Sequence, residues 1–210
     1  MKLVCALLLL VSLKGFAQYL FEKYSVKKYD SVSFKVVDVN DSTQIAIAKY
    51  KSYTVKLLEG NPEDPNGIDG GTILLYFKNK LIKKVNGDFS RITYVIKTLY
   101  VEDIDNNGKP DFKIETYYGG CTGLACSRIS SIFLLNNGHH FQSIDFESFY
   151  NFPQKEYEFD HDGNYEIVGQ SLAYYKGHNY WLFDLYNCKN GKLVNVSKKY
   201  GYPIAVPYLD

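Results

Sequence analysis

After residue 18 the sequence contains no convincing stretch in which apolar residues recur with the 3.6-residue period of an α-helix. It contains instead short runs rich in Val, Ile, Tyr, Phe and Thr that are bounded by Gly, Asn and Asp, which is the pattern of β-strands. The runs are 31–39, 45–58, 72–85, 92–101, 112–118, 128–135, 141–144, 167–175, 180–186 and 192–196. Asn137-Gly138 and Asn190-Gly191 separate such runs and favour hairpin turns, whose two central residues need positive φ. The pattern therefore predicts an all-β fold of antiparallel sheets.

The first 17 residues have the organisation of a secretory signal peptide. Lys2 is followed by the apolar run 3–13 and by the exit Gly15-Phe16-Ala17, so we expect cleavage after Ala17. The run is shorter than the roughly 20 apolar residues that a membrane-spanning helix needs, and no later run approaches that length. A buried N-terminal helix or strand is the alternative. The segment resembles those of secreted Bacteroidetes proteins, and it predicts a secreted or periplasmic protein with no transmembrane segment.

Composition limits the remaining classes. The 210 residues include 24 Lys and Arg against 23 Asp and Glu, with 46% hydrophobic and 16% aromatic residues. The apolar content argues against a disordered chain, and the balanced charge argues against nucleic acid as the partner. We expect a single β domain over 18–210, with an N-terminal sheet portion at 18–100 and two repeats, each with one acidic loop, at 101–200.

Two acidic loops share one spacing of oxygen-bearing side chains. Positions 1, 3, 5 and 9 are Asp103, Asp105, Asn107 and Asp111 in the first loop and Glu158, Asp160, Asp162 and Glu166 in the second. Position 6 is Gly in both loops, which permits a sharp bend, and position 7 (Lys109 or Asn164) offers its carbonyl. Ca²⁺ takes six to eight oxygen ligands, so the loops predict one or two bound Ca²⁺ ions.

Other readings of these loops are solvated turns or a Mg²⁺ site. An EF-hand is disfavoured, because position 12 is Ile114 in one loop and Gly169 in the other, where an EF-hand has a bidentate Glu. The sequence also places no amphipathic helix beside either loop.

The two loops begin two longer segments that follow one order of loop, strand, loop, strand, Asn-Gly turn and strand, with starting points at Asp103 and Glu158. Their segments DIDNNGKPDF and EFDHDGNYEI resemble the calcium repeats called FG-GAP or VCBS. The resemblance implies a Ca²⁺ loop joining adjacent strands in an extracellular β-propeller blade or a related sheet. A complete propeller needs four or more blades, so we expect a β-sandwich or barrel-like domain, or an incomplete propeller. The first loop, followed by Gly119-Gly120, also resembles periplasmic immunity proteins that inhibit lysozyme-like toxins.

Three cysteines follow the predicted signal peptide. Cys121 and Cys126 bracket a Gly-rich loop, and an oxidising compartment favours a local disulfide between them over metal ligation. Cys188 is then free, although its pairing with either of the others stays open.

Aromatic residues border the loops that follow each acidic turn. They are Tyr117, Tyr118, Tyr174, Tyr175 and Trp181. Exposed rings of this kind stack on sugars or anchor protein partners, whereas cross-strand packing uses the same residues and is the interpretation we favour for most of them.

The four histidines (His139, His140, His161 and His178) fall in polar turns and match no zincin or nucleophile motif. We therefore expect no enzyme. The sequence favours an exported, calcium-stabilised, non-catalytic binding module that recognises a protein or a glycan. The alternative hypothesis is a periplasmic inhibitor or immunity protein of a lysozyme-like cell-wall hydrolase.

Overall fold

The computed structural model describes residues 21, 23–40, 43–60, 70–87, 89, 92, 95–117, 128–149, 156–189 and 191–207. The strands are β1 (Ser25–Val26), β2 (Asp30–Ser33), β3 (Lys35–Asn40), β4 (Thr43–Tyr50), β5 (Tyr53–Leu58), β6 (Thr72–Phe77), β7 (Lys80–Asn86), β8 (Val95–Glu102), β9 (Asp111–Tyr117), β10 (Arg128–Asn136), β11 (Phe141–Phe149), β12 (Glu156–Glu158), β13 (Glu166–Tyr175), β14 (His178–Lys189), β15 (Lys192–Asn195) and β16 (Ile204–Pro207). A short 3-10 helix, Ser197–Tyr200, lies between β15 and β16. The prediction of an all-β fold with antiparallel sheets is confirmed.

The strands form three sheets. The N-terminal sheet has the order β3-β4-β5-β6-β7, and the central sheet has the order β11-β10-β9-β8-β2. The C-terminal sheet has the order β1-β12-β13-β14-β15, with β16 also paired to β14. The described strands close no barrel, and the architecture is sandwich-like.

Tight turns explain why neighbouring strands pair along the chain. Lys78 and Asn79 both have positive φ between β6 and β7, as do Lys176 and Gly177 between β13 and β14. Positive φ at both central residues gives a turn whose twist matches that of the flanking strands. The predicted turn at Asn137-Gly138 is longer than two residues, because Asn136 pairs with Phe141 across it and only the glycine has positive φ.

The central sheet is apolar on both faces. Ile132 and Leu134 of β10 belong to a core shared with the N-terminal sheet, whereas Phe133 and Leu135 belong to a core shared with the C-terminal sheet. Successive side chains of a strand point to opposite faces, so one continuous apolar run serves two cores. A third core lies on the C-terminal sheet and includes Phe21.

A buried ion pair connects the central and C-terminal sheets. Lys113 of β9 is 4% exposed, and its Nζ lies 3.0 Å from a carboxylate oxygen of Glu156 in β12 and 3.0 Å from one of Glu115. The rings of Tyr29 and Phe133 each lie 5.5 Å from the same Nζ. The pair places opposite charges between two layers that also share an apolar core.

The three sheets do not follow one another strictly along the chain, because β1 belongs to the C-terminal sheet and β2 to the central sheet. Residue 100, the predicted end of the N-terminal sheet portion, lies inside β8. β1 pairs with β12, so the beginning of the described chain joins the sheet that carries the second acidic loop.

Candidate metal centre

The first acidic loop connects β8 to β9. The side chain of Ile104 anchors the loop to the protein interior, because it is fully buried in the core between the central and C-terminal sheets. Asn106 and Gly108 have φ values of 55° and 79°, which turn the backbone back on itself. The carboxylate of Asp103 accepts hydrogen bonds from the amides of Asn107 (2.9 Å) and Gly108 (2.6 Å). The loop is therefore closed around the side chain at its first position.

Asp111, at the ninth position, is buried at the start of β9. Its two oxygens accept hydrogen bonds from the amides of Ile104 (2.8 Å) and Asn136 (2.6 Å). Burial raises the pKa of Asp111 to about 7, against the opposing effect of the two amides, and the negative charges of Asp105 and Asp103 raise it further. A nearby cation would favour the charged form of this carboxylate.

Asp105, at the third position, has one oxygen without a partner. Its Oδ2 accepts a hydrogen bond from the amide of Gly191 (2.6 Å), in the turn between β14 and β15. Its Oδ1 is buried and has no hydrogen-bond partner among the described residues, and the side chain is only 7% exposed. One carboxylate oxygen each from Asp103, Asp105 and Asp111 lies within 4.8 Å of the others. This set matches the oxygen chemistry that hard divalent cations prefer.

The second loop, between β12 and β13, has the same hydrogen-bond frame. Glu158 accepts a bond from the amide of Asp162 (3.2 Å), and Glu166 accepts one from the amide of Phe159 (3.2 Å). These bonds join positions 1 to 5 and 9 to 2, as in the first loop. His161 and Gly163 have φ values of 61° and 85°, which repeats the backbone conformation at positions 4 and 6. The shared spacing of the two sequences thus corresponds to a shared local structure.

Asp160, the counterpart of Asp105, also has a buried Oδ1 without a hydrogen-bond partner among the described residues, but the partners of its other oxygen differ. Its Oδ2 accepts hydrogen bonds from the hydroxyl of Tyr200 (2.6 Å) and from the ammonium of Lys199. The bond from Lys199, followed by that from Tyr200, lowers the pKa of Asp160. Carboxylate oxygens of Glu158, Asp160 and Glu166 lie within 4.8 Å of one another. Because a lysine already supplies positive charge to this cluster, the second loop is the weaker candidate for a cation.

The remaining predicted ligands lie on the rims of the loops. Asn107 Oδ1 accepts a bond from the amide of Lys109 (2.9 Å), and its Nδ2 donates to the carbonyl of Asn136 (2.6 Å). The exposed side chain of Asp162 instead accepts bonds from the amide and the side chain of Asn164, and it is not among the three gathered carboxylates.

Sequence reasoning missed the groups that reach the loops from elsewhere in the chain. They are Gly191 at Asp105, Asn136 at Asp111, Lys199 and Tyr200 at Asp160, and Asn187 at Glu166. Lys27 also donates to the carbonyl of Asp103 (3.0 Å). The two Asn-Gly turns were the one sequence signal for such contacts. Asn136, just before the first turn, bonds to Asp111, and Gly191 of the second turn bonds to Asp105.

The predicted binding aromatics that the structure describes lie on two different sheets. Tyr174 and Tyr175, at the end of β13, are 74% and 62% exposed, so the packing that we favoured for most of these rings does not apply to them. Trp181 does pack, against the third core. Tyr117 lies in the central sheet and is 39% exposed. Tyr118 lies outside the described residues.

The predicted disulfide between Cys121 and Cys126 lies outside the described residues. Cys188 is a free, buried thiol. Burial, followed by the charges of the first acidic cluster, raises the pKa of this thiol well above its usual range.

The four histidines are all exposed. No helix among the described residues is long and apolar enough to cross a membrane. No family model matches the chain, and neither the curated proteins nor the solved structures include a detectable match.

Proposed function

We propose that this protein is an exported, non-catalytic binding module whose fold is stabilised by Ca²⁺. One observation carries the calcium assignment. Asp105 Oδ1 is buried without a hydrogen-bond partner among the described residues, in a group of three carboxylates whose oxygens lie within 4.8 Å of one another. A buried charged oxygen without a partner is costly, and a cation that accepts oxygen ligands would satisfy it.

Asp103, Asp105 and Asp111 would hold the first ion, and Asn107 and the carbonyl of Lys109 are the further oxygens that the loop offers. Glu158, Asp160 and Glu166 would hold a second ion only in competition with Lys199. The ion would supply positive charge that offsets the repulsion of the carboxylates, and it would thereby fix the connection between β8 and β9.

Calcium titration calorimetry tests this assignment. We expect the wild-type protein to bind Ca²⁺ and the Asp105→Asn variant to bind it at least about tenfold more weakly, because the variant loses one charged ligand. The Asp145→Asn variant removes an exposed carboxylate of β11 at the same change in net charge and should bind as the wild type does. Equal affinities of the Asp105→Asn variant and the wild type would contradict the assignment.

The binding role draws on the tip of the β13–β14 hairpin. Tyr174 and Tyr175 are the most exposed of the predicted aromatics that the structure describes, and Lys176 and His178 beside them are exposed as well. Exposed tyrosines supply contact area at low cost in side-chain entropy, which suits both sugar rings and protein surfaces.

Replacement of Tyr174 and Tyr175 by Ala should leave the melting temperature nearly unchanged, because exposed substitutions alter stability by about 0.5 kcal/mol or less. It should abolish binding to whichever member of a panel of peptidoglycan, neutral glycans and lysozyme the wild-type protein binds. Undiminished binding by the variant would remove this surface from the proposal. Inhibition of lysozyme by the wild type would favour the inhibitor over the glycan-binding module.

A further inference from the structure

The two faces of the N-terminal sheet differ sharply in burial. The inward residues are at most 2% exposed and pack against the central sheet; they are Ala46, Ala48, Val55, Leu57, Ile73 and Leu75. The residues that alternate with them point outward, and none of those whose burial the structure describes is buried. The strand register defines this outward face, which includes Lys35, Val37, Ile45, Ile47, Lys49, Lys56, Leu58, Leu74, Tyr76, Leu81 and Lys84.

One row of this outward face crosses all five strands. Lys35 pairs with Ile47, Ile47 with Lys56, Lys56 with Leu74, and Leu74 with Lys84. Adjacent strands lie about 4.8 Å apart, so the three lysines of the row repeat at intervals of about 9.6 Å. The sheet therefore presents a line of evenly spaced cations separated by aliphatic side chains.

The charge on this face is not balanced by acids of the same strands. The five strands and the turns 51–52 and 78–79 contain eight lysines and a single acidic residue, and the β3–β4 connection adds Asp41, which lies outside the described residues. The lysines are Lys35, Lys49, Lys51, Lys56, Lys78, Lys80, Lys83 and Lys84. The acidic residue, Asp38, pairs with Gln44 on the opposite side of the sheet and accepts a hydrogen bond from it (2.9 Å). The outward face thus carries four lysines and no carboxylate among its strand residues.

The spaces between the cations are apolar. Ile47 and Leu74 are half-buried, and the ring of Tyr76 lies 5.1 Å from the Nζ of Lys56. The carbon-bearing face of a sugar ring packs well on such side chains, while its anionic group pairs with a lysine. A folded acidic protein does not present its charges at one fixed interval along a line, and a lipid surface would be contacted better by protruding residues than by half-buried ones.

We propose that this face binds a linear anionic polysaccharide, with the chain lying across the strands and an acidic group at each lysine of the row. The repeat of about 9.6 Å is close to the length of one disaccharide in an extended chain. The surface is separate from both acidic loops and from Tyr174 and Tyr175, so the inference does not rest on calcium binding or on the hairpin tip.

Hyaluronan oligosaccharides test the proposal, because they carry one carboxylate per disaccharide. The full-length protein should bind them at low salt. The Lys35→Gln, Lys56→Gln, Lys84→Gln triple variant should bind at least about tenfold more weakly. The slope of the logarithm of its binding constant against the logarithm of the salt concentration should be shallower by about two to three. The matched control is a Lys97→Gln, Lys192→Gln, Lys198→Gln variant, which removes three exposed lysines outside this sheet at the same change in net charge.

Both triple variants replace exposed or half-buried side chains, so their melting temperatures serve as the check on folding. Equal losses in the two variants would show a general charge effect and would overturn the proposal. Binding of polyglutamate or of phosphatidylglycerol vesicles, without binding of hyaluronan, would also overturn it in favour of an acidic protein or a lipid surface.

Discussion

Calcium is expected to raise the melting temperature of this protein by about 5–10 °C relative to EDTA. A ligand that binds only the folded state at 100 times its dissociation constant stabilises that state by about 2.7 kcal/mol. A change of 1 kcal/mol shifts the melting temperature of a chain of this length by about 2–4 °C. Differential scanning calorimetry in excess Ca²⁺ and in EDTA measures the shift directly.

The order of stability of the Asp105→Asn variant and the wild type should reverse between EDTA and Ca²⁺. In EDTA the variant should be at least as stable, because the amide that replaces the unpartnered Oδ1 can donate a hydrogen bond to the neighbouring carboxylates of Asp103 and Asp111. In Ca²⁺ the wild type should be the more stable, because only its site holds the full set of charged ligands.

Asp145→Asn should follow the wild type in both conditions. Identical melting of the wild type in Ca²⁺ and EDTA would contradict the metal assignment. A melting temperature that rises as much in Mg²⁺ as in Ca²⁺ would instead assign the site to a smaller cation.

The acidic loops could be predicted from sequence because their structure is local. The bonds that Asp103 accepts from the amides of Asn107 and Gly108 join residues four and five positions apart, and the bend needs a glycine at a fixed place. The contacts that separate the two loops are not local. Gly191 reaches Asp105 across 86 positions, and Lys199 reaches Asp160 across 39, and such distances leave no spacing that a single sequence can show.

The strands show the same division between what is local in the sequence and what is not. Runs 45–58 and 72–85 were predicted as continuous, but each forms a hairpin, with turns at Lys51-Ser52 and Lys78-Asn79 that contain neither Gly nor Pro. β1 and β12 were missed because two or three residues cannot show an alternating pattern. Tyr174 and Tyr175 were assigned mainly to packing because alternation reveals which residues share a face and not whether another layer covers that face.

Loss of Lys113 is expected to be among the most destabilising single changes in the chain. The Lys113→Met variant would leave the carboxylate of Glu156, whose side chain is 2% exposed, buried without the cation 3.0 Å away. Removal of one partner of a buried ion pair typically costs about 3–5 kcal/mol, because the remaining charge stays desolvated. Urea unfolding at neutral pH should show a loss of this size, whereas Lys192→Met, at an exposed site, should change stability by about 0.5 kcal/mol or less.

A second substitution separates the cost of an orphaned charge from the cost of lost packing. The Lys113→Met, Glu156→Leu double variant removes both charges, and apolar replacement of a buried pair is often neutral or stabilising. It should therefore recover most of the stability that Lys113→Met loses, with Glu115 still reaching water through a side chain that is 14% exposed. A double variant that is less stable than Lys113→Met alone would instead show that the packing of the central sheet on the C-terminal sheet depends on the carboxylate of Glu156 itself.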